Sequence, residues 1–142
     1  SFTGSTETGV RIIQDAAPSL KKVTMELGGK SPLLVFEDAD LDNAVAAAMM
    51  GNWYTNGEVC SNSTRVFVHE SIKSEFTARL LSRTSKLKIG DPMDPSTHVG
   101  ALIMPPHDRT GHMDRVMGYI DRAKADPCNT LLLGGNAVEV DI

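Results

Sequence analysis

Short apolar runs alternate with helix-period segments along this chain, and that alternation constrains its fold more than any other feature. Arg65-Val66-Phe67-Val68-His69 alternates with period two, and Pro32 to Phe36 is a compact apolar run, so both predict strands. Between them, Leu41, Ala44, Val45, Ala48 and Met49 recur at helical spacing behind a capping Asp38 or Asp40. Similar reasoning predicts helices over Thr8 to Ala17 and Ile72 to Leu87, and a last one marked by Met113, Val116, Met117 and Ile120. Lys22 to Glu26 and Leu131-Leu132-Leu133 read as further strands, and Lys88 to His112, with Pro92, Pro95, Pro105 and Pro106, reads as loop. Strands separated by helices imply an α/β class.

Charge and composition exclude several functions. The 142 residues carry a net charge of −4 with Lys and Arg scattered, which argues against a nucleic-acid face. No apolar run approaches the roughly 18 residues of a membrane span. Two cysteines are too few for a disulfide scaffold and fit a reducing compartment such as the cytoplasm. The four histidines lack metal-ligand spacing, and Asn62-Ser63-Thr64, a formal glycosylation acceptor, has no secretory segment before it.

Three segments could carry chemistry. Gly4-Ser5-Thr6-Glu7-Thr8-Gly9 leads into a helix, where it either cradles a phosphate or simply caps the helix start. Glu26 ends a strand immediately before Gly28-Gly29, so its carboxylate is either a solvated strand end or a group turned into a site. Cys60 lies in the polar stretch Asn56-Gly57-Glu58-Val59-Cys60-Ser61-Asn62, where a nucleophile and a structural cysteine are equally compatible. Cys128 reads as a surface-loop thiol without a role. Gly29-Lys30-Ser31 only mimics a P-loop, because Thr24 replaces the leading glycine and Pro32 opens a strand.

Taken in order, Phe2 to Gly9, Met25-Glu26-Leu27-Gly28-Gly29-Lys30-Ser31-Pro32 and Gly57 to Val66 resemble the signatures of the NAD(P)-dependent aldehyde dehydrogenase family. Thr24-Met25-Glu26 and Lys88-Ile89-Gly90-Asp91-Pro92 look most like its betaine-aldehyde and trimethylaminobutyraldehyde branch. The resemblance implies a segment spanning the end of a Rossmann-like cofactor domain, residues 1–25, and the start of the catalytic domain, residues 26–142. It implies Cys60 as the nucleophile that forms a thiohemiacetal and then a thioester, with its backbone N–H as half of an oxyanion hole. Glu26 would be the general base. Gly4, Ser5, Thr6, Glu7 and Gly9, with Leu27 and Gly28, would contact the cofactor. That cofactor would be NAD, with NADP left open. The carbonyl of Leu20 would bind potassium between subunits of a homo-oligomer, a dimer or tetramer.

Departures from the family pattern are equally specific. Glu58 stands where the family usually has Gln, and Ser63, close to Cys60, where it usually has Gly. The upstream asparagine of the oxyanion hole, both ribose-binding motifs and the pairing strand have no counterpart, and Pro105 to His112 is longer than the family pattern. The resemblance therefore implies an internal piece of a longer enzyme, inactive alone. A non-catalytic binding or assembly module built on the same fold is the competing expectation. Trp53 and Tyr54 could help cage a quaternary ammonium or simply pack a helix face.

Overall fold

The computed structural model describes residues 1–103 and 111–138. Its strands are β1 (Phe2–Thr3), β2 (Met25–Glu26), β3 (Pro32–Val35) and β4 (Arg65–Val68). Its α-helices are α1 (Thr6–Ala16), α2 (Leu41–Trp53), α3 (Lys73–Thr84) and α4 (Gly111–Ala125). β1 pairs with β2 in parallel, Phe2 opposite Met25 and Thr3 opposite Glu26. β3 pairs with β4 in parallel, from Pro32 opposite Arg65 to Val35 opposite Val68. Parallel strands require a crossover; α1 supplies one and α2 the other. The α/β class follows.

The core sits on one face of the second pair. Side chains alternate along a strand, so Leu33 and Val35 of β3 and Val66 and Val68 of β4 turn the same way. Against them, α2 presents Val45 and Ala48 and α3 presents Phe76; with Val35 these three are the buried cluster. Asp40, not Asp38, caps α2, its Oδ1 accepting from the Asn43 backbone N–H at 3.0 Å. Leu34, Phe36 and Phe67 lie on the opposite face and stay exposed.

Several sequence expectations need correction. The first helix begins at Thr6 because Ser5 caps it, accepting from the Thr8 N–H. Only Met25 and Glu26 of the stretch from Lys22 are strand, since β1 offers just two partners. The helix over 72–87 covers Lys73–Thr84 and is preceded by a 3-10 turn, Glu70–Ile72. Leu131, Leu132 and Leu133 form no strand: all three are exposed, and no described strand lies beside them to satisfy their backbone groups. The stretch from Lys88 is more ordered than its prolines suggest. Ile89 bridges Val99, while the Lys88 ammonium holds Asp94 and Ser96, each at 2.6 Å. Pro105, Pro106 and His107 lie outside the described residues, as does most of the long stretch ending at His112.

Candidate active site

Each of the three sequence segments arrives by a different route. β1 hands the chain to the α1 start: the Gly4 N–H donates to the Glu26 carbonyl at 3.0 Å, so the first segment is tied to the second. Gly9 is buried because α1 crosses close to β2; a Cβ there would meet Leu27 Cδ2 at 3.0 Å and Met25 Sδ at 3.6 Å. Gly9 and Leu27 therefore pack against each other. Gly28 faces open space, with nothing within 4 Å of where a side chain would stand.

The second and third segments meet directly. A Cβ on Gly29 would lie 2.9 Å from the Cys60 carbonyl oxygen. Arg65 fastens the two loops from the far side, its Nε donating to the Lys30 carbonyl at 3.0 Å and its backbone N–H to the Ser31 carbonyl at 3.3 Å. This contact follows from the β3–β4 register, since Ser31 precedes Pro32 and Thr64 precedes Arg65. Glu26 is exposed, and Cys60 is an exposed free thiol. An accessible cysteine beside the loop that follows a carboxylate-ended strand is an arrangement suited to nucleophilic chemistry.

The approach to Cys60 is unusual. Thr55 (φ 51°) and Asn56 (φ 54°) are left-handed, and Gly57 follows at φ 79°. A β-branched residue in that region is strained, and Asn56 is anchored by donation of its Nδ2 to the Ala101 carbonyl at 2.8 Å. Beyond Cys60, Asn62 is buried, and its Nδ2 has no hydrogen-bond partner. Ser63 turns onto α2: its N–H donates to the Gly51 carbonyl at 2.9 Å, and a Cβ on Gly51 would lie 2.7 Å from Ser63 Oγ. Sequence reasoning placed the Ser63 side chain close to Cys60; its packing partner is the glycine of α2.

Glu58 is paired. Its Oε1 lies 3.1 Å from His112 Nε2, and His112 Nδ1 lies 2.7 Å from an Arg115 guanidinium nitrogen. Sequence reading missed this contact, because 54 positions separate Glu58 from His112 and only the tertiary fold joins them.

At the head of α1, Gly4 through Glu7 are exposed. Glu7 would oppose an anion there, but its carboxylate is engaged by Arg11 at 2.5 Å. The free N–H groups of the first turn remain suited to a phosphate, so these residues fit the pyrophosphate of a dinucleotide. Leu20, at the end of the turn Ala17–Ser19, is left-handed (φ 55°) and 91% exposed. Among the described residues no group of three His, Cys, Asp or Glu side chains could hold a metal ion. None of the described helices is long and apolar enough to cross a membrane. A separate apolar cavity of about 1410 Å³, bordered by Trp53, Leu80, Val99, Met113, Met117 and Ile120, does not include Cys60 or Glu26.

Residues 1–141 match the profile of the aldehyde dehydrogenase family. The betaine aldehyde dehydrogenase of Brucella ovis is 53% identical over 135 residues, covering 95% of this chain and 26% of its own. Among solved structures, betaine aldehyde dehydrogenase from Staphylococcus aureus in complex with NAD+ superposes with a TM-score of 0.86 at 38% identity, over 97% of this chain and 26% of that one. The HpcC protein of Thermus thermophilus gives a TM-score of 0.78 at 43% identity, over 87% of this chain and 23% of that one. This chain spans about a quarter of the length of the relatives it matches.

Proposed function

Because the chain belongs to the aldehyde dehydrogenase family, we propose that it carries the nucleophile and general base of an enzyme that oxidises an aldehyde to a carboxylic acid. The observation that supports this most is the seating of Gly29 on the Cys60 carbonyl, which brings the loop that follows Glu26 to the cysteine.

In this reading the Cys60 thiolate adds to the aldehyde carbon, forming a C–S bond and an oxyanion. The Cys60 backbone N–H donates to that oxygen. NAD, held at the α1 start, would supply the acceptor for the hydride whose loss from the adduct leaves a thioester. Glu26 takes a proton from water, which adds to the thioester carbon; the C–S bond breaks and the acid leaves. The backbone N–H groups of Ser5, Thr6 and Glu7, beside Gly4, would hold the cofactor pyrophosphate at the α1 start, and Gly9 keeps α1 close to Leu27. Gly28, with open space beside it, leaves room for the nicotinamide. The NAD+ complex of the Staphylococcus aureus relative supports NAD as the cofactor.

Betaine aldehyde is the substrate we favour, on the 53% identity to relatives of that name. Residues 1–25 would close a cofactor domain and residues 26–142 would open a catalytic one, within a longer cytoplasmic chain that works as a homo-oligomer. Leu20 would offer one carbonyl oxygen to a potassium ion between subunits. The 142 residues alone would not turn over aldehyde.

Burst kinetics test the division of labour. In a full-length enzyme carrying these residues, Glu26→Gln should keep a first turnover of NADH and lose steady-state release. Steady-state turnover at the native rate would refute the role given to Glu26.

A further inference from the structure

We propose that His112 is a positioning residue for the nucleophile loop: held in one tautomer by Arg115, it binds the Glu58 carboxylate and keeps that charge from disfavouring the Cys60 thiolate. The inference rests on the reading of Cys60 as nucleophile and adds a group that no sequence signature marks.

Glu58 stands two positions before Cys60. Even a fully extended backbone would place their Cα atoms only about 7 Å apart. A free carboxylate on the same short loop opposes formation of a thiolate. The structure gives this carboxylate a partner: Oε1 lies 3.1 Å from His112 Nε2, with the two side chains 37% and 20% exposed.

The orientation of the ring follows from its other nitrogen. Arg115 lies 2.7 Å from His112 Nδ1, and a guanidinium can only donate. In this geometry Nδ1 accepts, and the ring N–H that faces Glu58 is the one on Nε2. Arg115 supplies the positive charge, and His112 transmits it through one polarised ring. The other charged groups near the two loops are otherwise engaged or exposed. Lys30 donates to the Gly29 carbonyl and Arg65 to the Lys30 carbonyl, while Glu26 at the end of β2 and Asp114 on α4 are exposed. Among the described residues, His112 is the side chain that meets the Glu58 carboxylate.

The test uses the intact 142-residue chain, whose two cysteines can be resolved by mass spectrometry after timed iodoacetamide alkylation across a pH series. His112→Ala should raise the pH midpoint of Cys60 alkylation and slow it roughly three- to tenfold below that midpoint, with Cys128 unchanged. Arg115→Gln, on an exposed side chain, should shift the profile in the same direction, and it serves where His112→Ala fails to fold. Glu58→Gln keeps an acceptor but removes the charge, so Cys60 should react at least as fast as in the parent. The double variant Glu58→Gln/His112→Ala should return to the Glu58→Gln rate, a rescue that a merely structural role would not give. An unchanged profile in both His112→Ala and Arg115→Gln, or a double variant as slow as His112→Ala, would overturn the inference. The nucleophile reading is judged separately, by whether parental Cys60 reacts differently from Cys128.

Discussion

The Cys60 carbonyl oxygen lies 2.9 Å from the point where a side chain on Gly29 would begin. Neither end of that contact can give way easily, because both are backbone. Gly29 thus lets the loop that follows Glu26 close onto the loop carrying Cys60. Gly29→Ala should destabilise the chain by about 1–3 kcal/mol through overpacking, read as a lower urea midpoint. It should also separate the loops, so that Cys60 alkylation loses any difference from Cys128.

A second glycine makes a matching prediction with a built-in rescue. Gly51→Ala improves helix propensity by about 1 kcal/mol, yet the new methyl would stand 2.7 Å from Ser63 Oγ and 2.8 Å from its Cβ. Overpacking of about 1–3 kcal/mol should outweigh the propensity gain, giving a net loss. In the Ser63→Gly background the clash is gone, and the same Gly51→Ala change should stabilise. Urea denaturation of the four proteins gives the sign directly.

The buried cluster makes a simpler one. Phe76 is 3% exposed and packs with Val35, Val45 and Ala48. Phe76→Ala should cost about 3–5 kcal/mol. A loss below about 1 kcal/mol in thermal or urea unfolding would mean that α3 does not close this core.

Acid should loosen the stretch after α3. Donation from the Lys88 ammonium, then from the Ser96 N–H and hydroxyl, holds Asp94 well below the usual carboxylate range. A depressed carboxylate contributes stability above its unfolded value of about 3.9 and loses it as pH falls toward the folded value. Unfolding midpoints should therefore decline on acidification in the parent, and Asp94→Asn should show a shallower decline. Equal slopes would contradict the assignment.

How much of this was legible in the sequence depended on the range of the interaction. Asp40 as a cap, the Val45–Ala48 stripe and the β4 alternation are local patterns, and the structure follows them. Leu131 to Leu133 failed because apolarity alone does not supply the neighbouring strand whose backbone groups a strand needs. The candidate site divides the same way. Glu26, Cys60 and the α1 start stood out by their glycines and polar neighbours, but only the fold shows Gly29 against Cys60. The Glu58–His112 contact and the turn of Ser63 onto Gly51 are long-range packing outcomes, and no spacing rule anticipates them.

The most direct measurement is NADH formation from aldehyde and NAD by a full-length enzyme carrying these residues, compared between the parent and Cys60→Ala. Loss of the nucleophile should lower kcat by about 10³-fold or more, with the fold intact by circular dichroism. Turnover of the alanine variant at the parental rate would contradict the account.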